Sequence, residues 1–450
     1  MQVDSTYSAR VKRPTLRRGP VYAALCTVLC CGAAEAGPVS SCADDGSTGT
    51  LRYEALHDSV ADMTQLACST ITLTQGAIRY NNLAVEGSTD HRINIVGSGS
   101  DRLFLSNSPG GELALFDLDV SGGRIVQGTP YIGGGACVLS LSGSVFLNRV
   151  VMRDCKSTLT SGVFGGAIYA RYLGLRNSVV ADSPQVGYAG NTGGGVHAGQ
   201  FHCYDSSVRN NSLSGTHVSA GGVYTSSAVL KNCTIEGNSP GGLRVVVPVN
   251  SNAATRVESS TFSDNAGGYG LEVDNKGTLS VTNSTVSGND GGISARQQTV
   301  TIANSTIAFN LGGVAGFYSR YYDLTAQSSI FAHNAPYDVY LSQSHFHGAD
   351  NLVMYTNATD PLSGDTVDPG AIVSSANPRL APLGFHGGET RTHALLPGSP
   401  ALDHGNNSAN LTTDQRGAAR ASPAGKPDIG AYERQPVDDE LFYDGYEGDG

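Results

Sequence analysis

The sequence predicts an all-β chain wound as a right-handed parallel β-helix, with a short N-terminal capping helix and an irregular C-terminal cap. Three observations lead there. A short phrase recurs: Leu175-Arg-Asn177-Ser-Val-Val180, Leu230-Lys-Asn232-Cys-Thr-Ile235, Val281-Thr-Asn283-Ser-Thr-Val286 and Ile302-Ala-Asn304-Ser-Thr-Ile307, with looser copies from Leu147, Cys203, Val257 and Ala326. The copies begin 21 to 28 residues apart, and a fixed period of that size marks a stacked repeat. The phrase alternates, is rich in Val, Ile, Thr and Ser, and is followed by Gly-Gly pairs such as Gly221-Gly222. It reads as a strand, then a turn, then a second strand. Coils of that kind stack at the strand spacing of roughly 4.8 Å.

Stacking places equivalent residues above one another. Asn177, Asp205, Asn232, Asn283 and Asn304 are expected to form one polar ladder. The residues closing each coil, Asn211, Asn238, Asn265, Asn289, Asn310 and Asn334, form another. Asparagine accepts the tight-turn geometry of such positions, so these residues are assigned to turns rather than to ligands.

Composition agrees. Of 450 residues, 58 are Gly and none is Trp, as a chain with several tight turns per coil requires. Charged residues are only 15%, with 28 basic against 39 acidic. That balance excludes a basic nucleic-acid binder and disfavours anionic membranes.

Taken in order, residues 1–36 are an export leader. Arg10, Lys12, Arg13, Arg17 and Arg18 precede an apolar run, Val21 to Ala34, too short to span a membrane, and Ala34-Glu35-Ala36 is a cleavage site. Six cysteines remain beyond it: Cys42, Cys68, Cys137, Cys155, Cys203 and Cys233. An even number in an exported chain points to disulfides, and none has a C-x-x-C spacing for zinc. Residues 37–114 form the N-terminal cap and first coils. Leu51, Ala55, Leu56, Val60 and Met63 lie on one face of a short helix, which covers the open sheet edges. Cys42 and Cys68 flank it and are expected to staple it down. Strands follow at 70–74, 83–86, 93–96, 103–105 and 113–115.

Regular coils run over 115–344. Two departures there are candidate sites. Just before the closing position sit Asp154, Asp182, Asn210 and Asp264, with Arg153 and Arg209 alongside. Arg153, Asp154, Asp182 and Arg209 are the catalytic candidates, because adjacent carboxylates shift one another's pKa or hold Ca²⁺. Ordinary turn charge is the competing account. Tyr318, Arg320, Tyr321 and Tyr322 are the ligand-binding candidates, since aromatics beside an arginine stack on sugar rings; packing over a loop is the alternative. No metal site is assigned: His345-Phe-His347 offers two imidazoles with no third ligand nearby in sequence. No cofactor is required beyond a possible Ca²⁺.

From 345 the period fades, and residues 345–434 form a distinct C-terminal region before an acidic tail, 435–450. Asn377-Pro-Arg-Leu-Ala-Pro-Leu383, Gly387-Gly-Glu-Thr-Arg-Thr-His-Ala-Leu395, Gly398-Ser-Pro-Ala-Leu-Asp403, Thr413-Asp-Gln-Arg-Gly417 and Asp428-Ile-Gly-Ala-Tyr-Glu433 occur there in order. Together they resemble the choice-of-anchor Q domain, a family of exported bacterial β-helix proteins. The resemblance implies a secreted or outer-surface location, and no agreed reaction. On physical grounds, Asp403, Asp414, Arg416, Arg420, Asp428 and Glu433 are expected to pair as a network closing the C-terminal end.

Two functions are compatible with these residues. One is a non-enzymatic binding, adhesive or structural rod, monomeric, with a polysaccharide or a surface protein as partner and no transmembrane segment. The other is a polysaccharide lyase or hydrolase, which needs paired carboxylates, or Ca²⁺ with a base.

Overall fold

A computed structural model describes residues 36–126, 134–158, 165–186, 192–215, 219–359, 365–420, 425–436 and 438. The expected export leader and most of the acidic tail lie outside the described residues. The chain is a right-handed parallel β-helix, the hand that β–crossover–β connections adopt.

Among the described residues each coil adds one strand to a 13-stranded parallel sheet running from Thr70–Leu73 to Ile372–Ser374. The middle residue of each strand points inward. Ile71, Met152, Phe262, Ile307 and Phe331 all lie fully buried in this column. A second, 21-stranded sheet forms the other wall. Its central strands Val138–Asn148, Ile168–Arg176, Val196–Tyr204 and Val223–Lys231 are long. From Leu243–Val246 and Ala254–Glu258 onward that wall becomes two shorter strands per coil.

The recurring phrase is not a single strand, as its alternation predicts, but a corner between the two walls. Asn177, Asp205, Asn232, Asn283 and Asn304 have φ between 46° and 54°. This left-handed geometry suits Asn and Asp better than other side-chain-bearing residues, and it turns the chain between two inward-facing apolar residues. Of the ladder expected at these corners, Asn232 Nδ2 donates to Asp205 Oδ1 at 2.9 Å, and a longer ladder is carried by the next residue. Ser178 accepts from Val150 N, Ser206 from Ser178 N, Ser284 from Ser260 N and Ser305 from Ser284 N, at 3.0–3.2 Å.

The closing asparagines do form a ladder, but inside the barrel rather than at its surface. The amides Asn211, Asn238, Asn265 and Asn310 are fully buried. Asn238 Nδ2 donates to Asn265 Oδ1 at 3.0 Å, Asn265 Nδ2 to Asn289 Oδ1 at 2.8 Å, and Asn310 Nδ2 to Asn334 Oδ1 at 2.8 Å. Each Oδ1 also accepts the backbone N–H of the coil before it, as Asn265 Oδ1 does from Asn238 N at 3.0 Å. The ladder ends on Asp338, which accepts from Asn334 at 2.9 Å. The Gly-Gly pairs answer to this ladder. A Cβ at Gly242 would lie 2.5 Å from Gly270 O and 3.0 Å from Asn265 Cγ, so glycine there makes room for the amide stack.

At the N-terminal end the helix α1, Leu51–His57, is shorter than the apolar spacing predicts. Thr50 caps it, accepting from Tyr53 N at 3.3 Å. Leu51 and Ala55 face the core, whereas Leu56 is 61% exposed. Residues Val60–Asp62 are already a strand, paired with Ala36–Pro38 and Asn82–Glu86. Sheet pairing at Val60 thus overrides the helical period. Cys42 pairs with Cys68 as expected, and the open pairings resolve as Cys137–Cys155 and Cys203–Cys233.

The first part of the C-terminal region continues the coils, from the strand His345–Ala349 to Ile372–Ser374. The described residues 377–420 and 425–436 run back as a strap over the outer face of the 13-stranded sheet. Thr261 Oγ1 donates to Arg391 O and Thr285 Oγ1 to Gln415 Oε1, both at 2.6 Å. Ala431 N donates to Thr306 Oγ1 at 3.1 Å and Gly430 N to Ser328 O at 2.8 Å. Ala394, Leu395, Ala401, Ile429 and Tyr432 pack on the outward-facing Ile330, Ala332 and Leu352. Thr261, Thr285 and Thr306 sit on the outside of the sheet, yet the strap buries them. The reason is chemical: threonine on an outward β-face supplies hydroxyls that pair with an irregular chain carrying many free backbone groups.

The predicted ionic network forms, inside this strap. Arg416 Nε donates to Asp414 Oδ2 at 2.9 Å, Arg420 Nη1 to Glu433 Oε2 at 3.2 Å, and Asp403 N to Asp428 Oδ1 at 2.8 Å. Burial first, and then the neighbouring Asp428, push the Glu433 carboxyl from 4.5 up to about 7. The folded chain therefore keeps a proton between pH 4.5 and 7 that the unfolded chain has released. This group's contribution is full below pH 4.5 and falls as pH rises through 7. The expected outcome is a melting temperature several degrees higher at pH 5 than at pH 8. Glu433→Gln should flatten that slope in calorimetric scans at both pH values. An unchanged slope would remove Glu433 as its source.

Candidate functional site

The longest organised surface is a column on the outside of the 21-stranded sheet. Strand alternation turns every second residue outward, and parallel register stacks these residues coil upon coil. The column reads Tyr169, His197, Tyr224, Arg244, Glu272, Ser294, Tyr318 and Tyr340. The ring centroids of Tyr169 and His197 are 4.8 Å apart, and those of His197 and Tyr224 5.0 Å, all stacked. Tyr318 and Tyr340 lie 5.8 Å apart, and Tyr337 extends the far end, 5.2 Å from Tyr340 and stacked on Tyr355 at 5.1 Å.

Between the two aromatic runs lies an ionic quartet. Arg244 reaches Asp274 at 2.8 Å and Glu272 at 3.5 Å. Arg296 reaches Glu272 and Asp274, each at 3.1 Å. Burial raises the Glu272 carboxyl pKa, with Arg244 opposing and Asp274 reinforcing the shift. Tyr269, whose phenol pKa burial also raises, lies over Gly291. A Cβ there would sit 2.4 Å from Tyr269 Cδ1. The quartet offers guanidinium forks and carboxylates at the centre of a row of aromatic faces. Burial lowers the His197 pKa to about 4, so this part of the row is uncharged at neutral pH.

Of the ligand-binding residues read from sequence, Tyr318 belongs to this column. Arg320 ends the same strand, its guanidinium 4.6 Å from the centroid of the Tyr321 ring. Tyr321 occupies a left-handed turn and is 47% exposed. Tyr322 contributes a carbonyl that accepts from Ser319 Oγ at 2.6 Å.

The four catalytic candidates lie on the other wall. Asp154 and Asp182 are left-handed corner residues, with φ of 54° and 50°. Their carboxylates meet other groups rather than each other. Asp154 pairs with Lys156 at 2.5 Å and Arg124 at 3.3 Å, and these cations lower its pKa against the opposing effect of burial. Asp182 accepts from Asn210 Nδ2 at 3.2 Å. Arg153 and Arg209 are two coils apart on one outward column, with Ala181 between them. Arg209 lines a cavity of about 460 Å³ where the strap's edge, Phe385 and Glu389, meets the sheet at Asp205, Asn232 and Glu236.

The residues that sequence reasoning missed carried a signal. Tyr169, His197 and Tyr224 each stand eight positions before a corner residue, Asn177, Asp205 and Asn232. Aligning the copies on the corner would have put these rings in one column. His345 and His347 also have a third neighbour, Asp323, supplied by the preceding coil rather than by nearby sequence.

A family model described as the right-handed beta helix region matches residues 246–360. No curated protein matches the sequence. Among solved structures, the chain is similar to pectate lyase Pel9A at 13% identity, over 90% of this chain and 98% of that one, with a TM-score of 0.42. It is also similar to the A-module of the Azotobacter vinelandii mannuronan C-5 epimerase AlgE6 at 16% identity, over 77% of this chain and 98% of that one, with a TM-score of 0.37.

Proposed function

We propose that the protein is an exported β-helix that binds a linear polysaccharide along the Tyr169–Tyr340 column, without turning it over. The observation that carries this reading is the register. Aromatic rings stand at the strand spacing, roughly 4.8 Å, in two runs on one column, Tyr169–His197–Tyr224 and Tyr318–Tyr340, with guanidinium donors between them. A sugar chain presents apolar C–H surfaces and hydroxyls in regular succession, and apolar contact along the rings with hydrogen bonding to Tyr and Arg suits both. Three disulfides accord with an oxidising compartment outside the cytoplasm. No helix among the described residues is long and apolar enough to cross a membrane. The leader and the choice-of-anchor Q-like strap support export to the medium or the outer surface of a bacterium.

The test is binding of the purified chain to acidic and neutral polysaccharides, with release of reducing ends and unsaturated uronates recorded in parallel. Tyr224→Ala and Tyr318→Ala should each weaken binding about tenfold, from lost apolar contact and buried area, with melting temperatures close to the parent. Unchanged binding in both variants would sink the assignment to this column.

A second reading, a lyase or hydrolase, has one observation in its favour. Burial pushes Glu272 towards the protonated form, the direction a general acid needs, against the opposing pull of Arg244 and Arg296. Under that reading Glu272→Gln abolishes turnover while polymer binding survives. Absence of turnover on every polymer tested leaves the binding reading alone.

A further inference from the structure

We propose that Asp323, His345 and His347 bind a divalent transition-metal ion of the zinc class, on the edge of the solenoid just past the Tyr321–Tyr322 turn. Their ligand atoms lie within 4.8 Å of one another, and three consecutive coils build the site. Asp323 immediately precedes the strand Leu324–Gln327. His345 and His347 begin the strand His345–Ala349 stacked on it, with Leu324 opposite Phe346. Because the two histidines are two residues apart on a strand, both imidazoles leave the same face, and their centroids are 5.8 Å apart.

The surroundings orient the donors. His345 N donates to Asp323 Oδ1 at 2.9 Å, which fixes the carboxylate. Asp323 Oδ2 then lies 3.5 Å from His347 Nε2. The third coil supplies Asp368, whose Oδ2 is 2.8 Å from His347 Nδ1. A carboxylate on one ring nitrogen, with the other turned towards a ligand set, is the arrangement that holds a metal-binding imidazole in the right tautomer. It is also an observation independent of the three-ligand cluster. Two imidazoles and one carboxylate favour zinc, copper or nickel over Ca²⁺, which takes oxygen ligands. Three protein ligands on an exposed edge leave a fourth position for water or a ligand atom.

The experiment uses the full disulfide-bonded chain without a histidine tag, freed of metal with a chelator and titrated with Zn²⁺ by calorimetry. Co²⁺ serves as a spectroscopic probe of nitrogen ligation. One equivalent should bind at pH 7.5 with micromolar or tighter affinity, and the Co²⁺ adduct should absorb in the visible. His345→Ala and His347→Ala should each abolish that binding. Asp368→Asn, which spares the three ligands, should weaken it by about 10- to 100-fold. Asp182→Gly, at a remote corner, should leave it unchanged. Circular dichroism establishes that each variant is folded. No stoichiometric binding to the parent chain, or equal binding in both histidine variants, would overturn the proposal.

Discussion

Replacing Arg420 by methionine is expected to lower stability by about 3–5 kcal/mol, the cost of stranding one partner of a buried ion pair. The Arg420 side chain is fully buried. Its Nη1 donates to Glu433 Oε2 at 3.2 Å and Asp428 O at 3.4 Å, and its Nη2 to Asn283 Oδ1 at 2.9 Å and Gly430 O at 3.1 Å. The bond to Asn283 is the one that crosses from strap to sheet. Without the guanidinium, the Glu433 carboxyl stays buried with no cation against it, so the loss should grow as pH rises past 7. Calorimetry measures the loss, and limited proteolysis locates it. Cleavage should begin within residues 377–436 while the coils before Ser259 resist. The double change Arg420→Met with Glu433→Leu should regain much of the stability, because removing both charges leaves neither unpaired. A melting temperature and digestion pattern like the parent's would show that the strap does not depend on this residue.

The second large effect belongs to the internal amide ladder. Asn265→Ala should cost about 3 kcal/mol, since each buried hydrogen bond contributes roughly 0.5–1.5 kcal/mol and several are lost at once. Four bonds go, those of the Asn265 side chain with Asn238 N, Asn238 Nδ2, Ile235 O and Asn289 Oδ1, although Asn238 Nδ2 keeps Val208 O and Asn289 Oδ1 keeps Asn265 N. Asn265→Asp should not rescue it, because a second acceptor oxygen would then face Ile235 O and Asn289 Oδ1. Asp182→Gly provides the contrast. It lies at an outer corner with φ of 50° and one exposed bond to Asn210, and should stay within about 0.5 kcal/mol. Urea midpoints for the three variants decide the matter. Equal midpoints for Asn265→Ala and Asp182→Gly would mean that the ladder is not what holds the coils in register.

The stacking of coils was legible because it is written as a period. Leu230, Asn232 and Ile235 recur at one offset, and any fold consistent with that recurrence stacks them. The direction in which each asparagine points was less legible. Asn232 and Asn238 are the same residue type in similar contexts, yet one is a solvent-side corner and the other a fully buried ladder rung. The difference lies in the left-handed residue that comes just before each rung, such as Asn210 or Asp264. It swings the next side chain inward, and residue type alone does not report that. The strap was hidden for another reason. Its partners Thr261, Thr285 and Thr306 look like ordinary outward strand residues, and only a three-dimensional view brings residues 130 positions apart together, as for Thr285 and Gln415. The aromatic column fell between these cases. Its register is periodic, but the long strands shorten after Lys231, so Arg244 and Glu272 drop out of the offset that holds Tyr169, His197 and Tyr224. The resemblance-bearing motifs near the C-terminus located the ionic network correctly and misplaced its role, because charge pairing says which residues meet and not which surface they cover.

The strap also changes how the solenoid comes apart. A stack in which each coil touches only its neighbours unravels piecemeal from its ends, its stability a sum of local terms. Here Gln415 alone bonds Thr261 and Thr285, on successive coils, from as far as 154 residues away in sequence, and Asn406 bonds Asp350 still further along the rod. The coils from Glu236, which pairs with Arg391 of the strap, to Asp350 are thereby bound into one cooperative block, while those well before them keep the looser behaviour of a simple repeat. Because the strap follows these coils in sequence, the block locks only after the strap itself has been synthesised. The order of assembly is set by where the clasp lies in the sequence, not by the order of the coils.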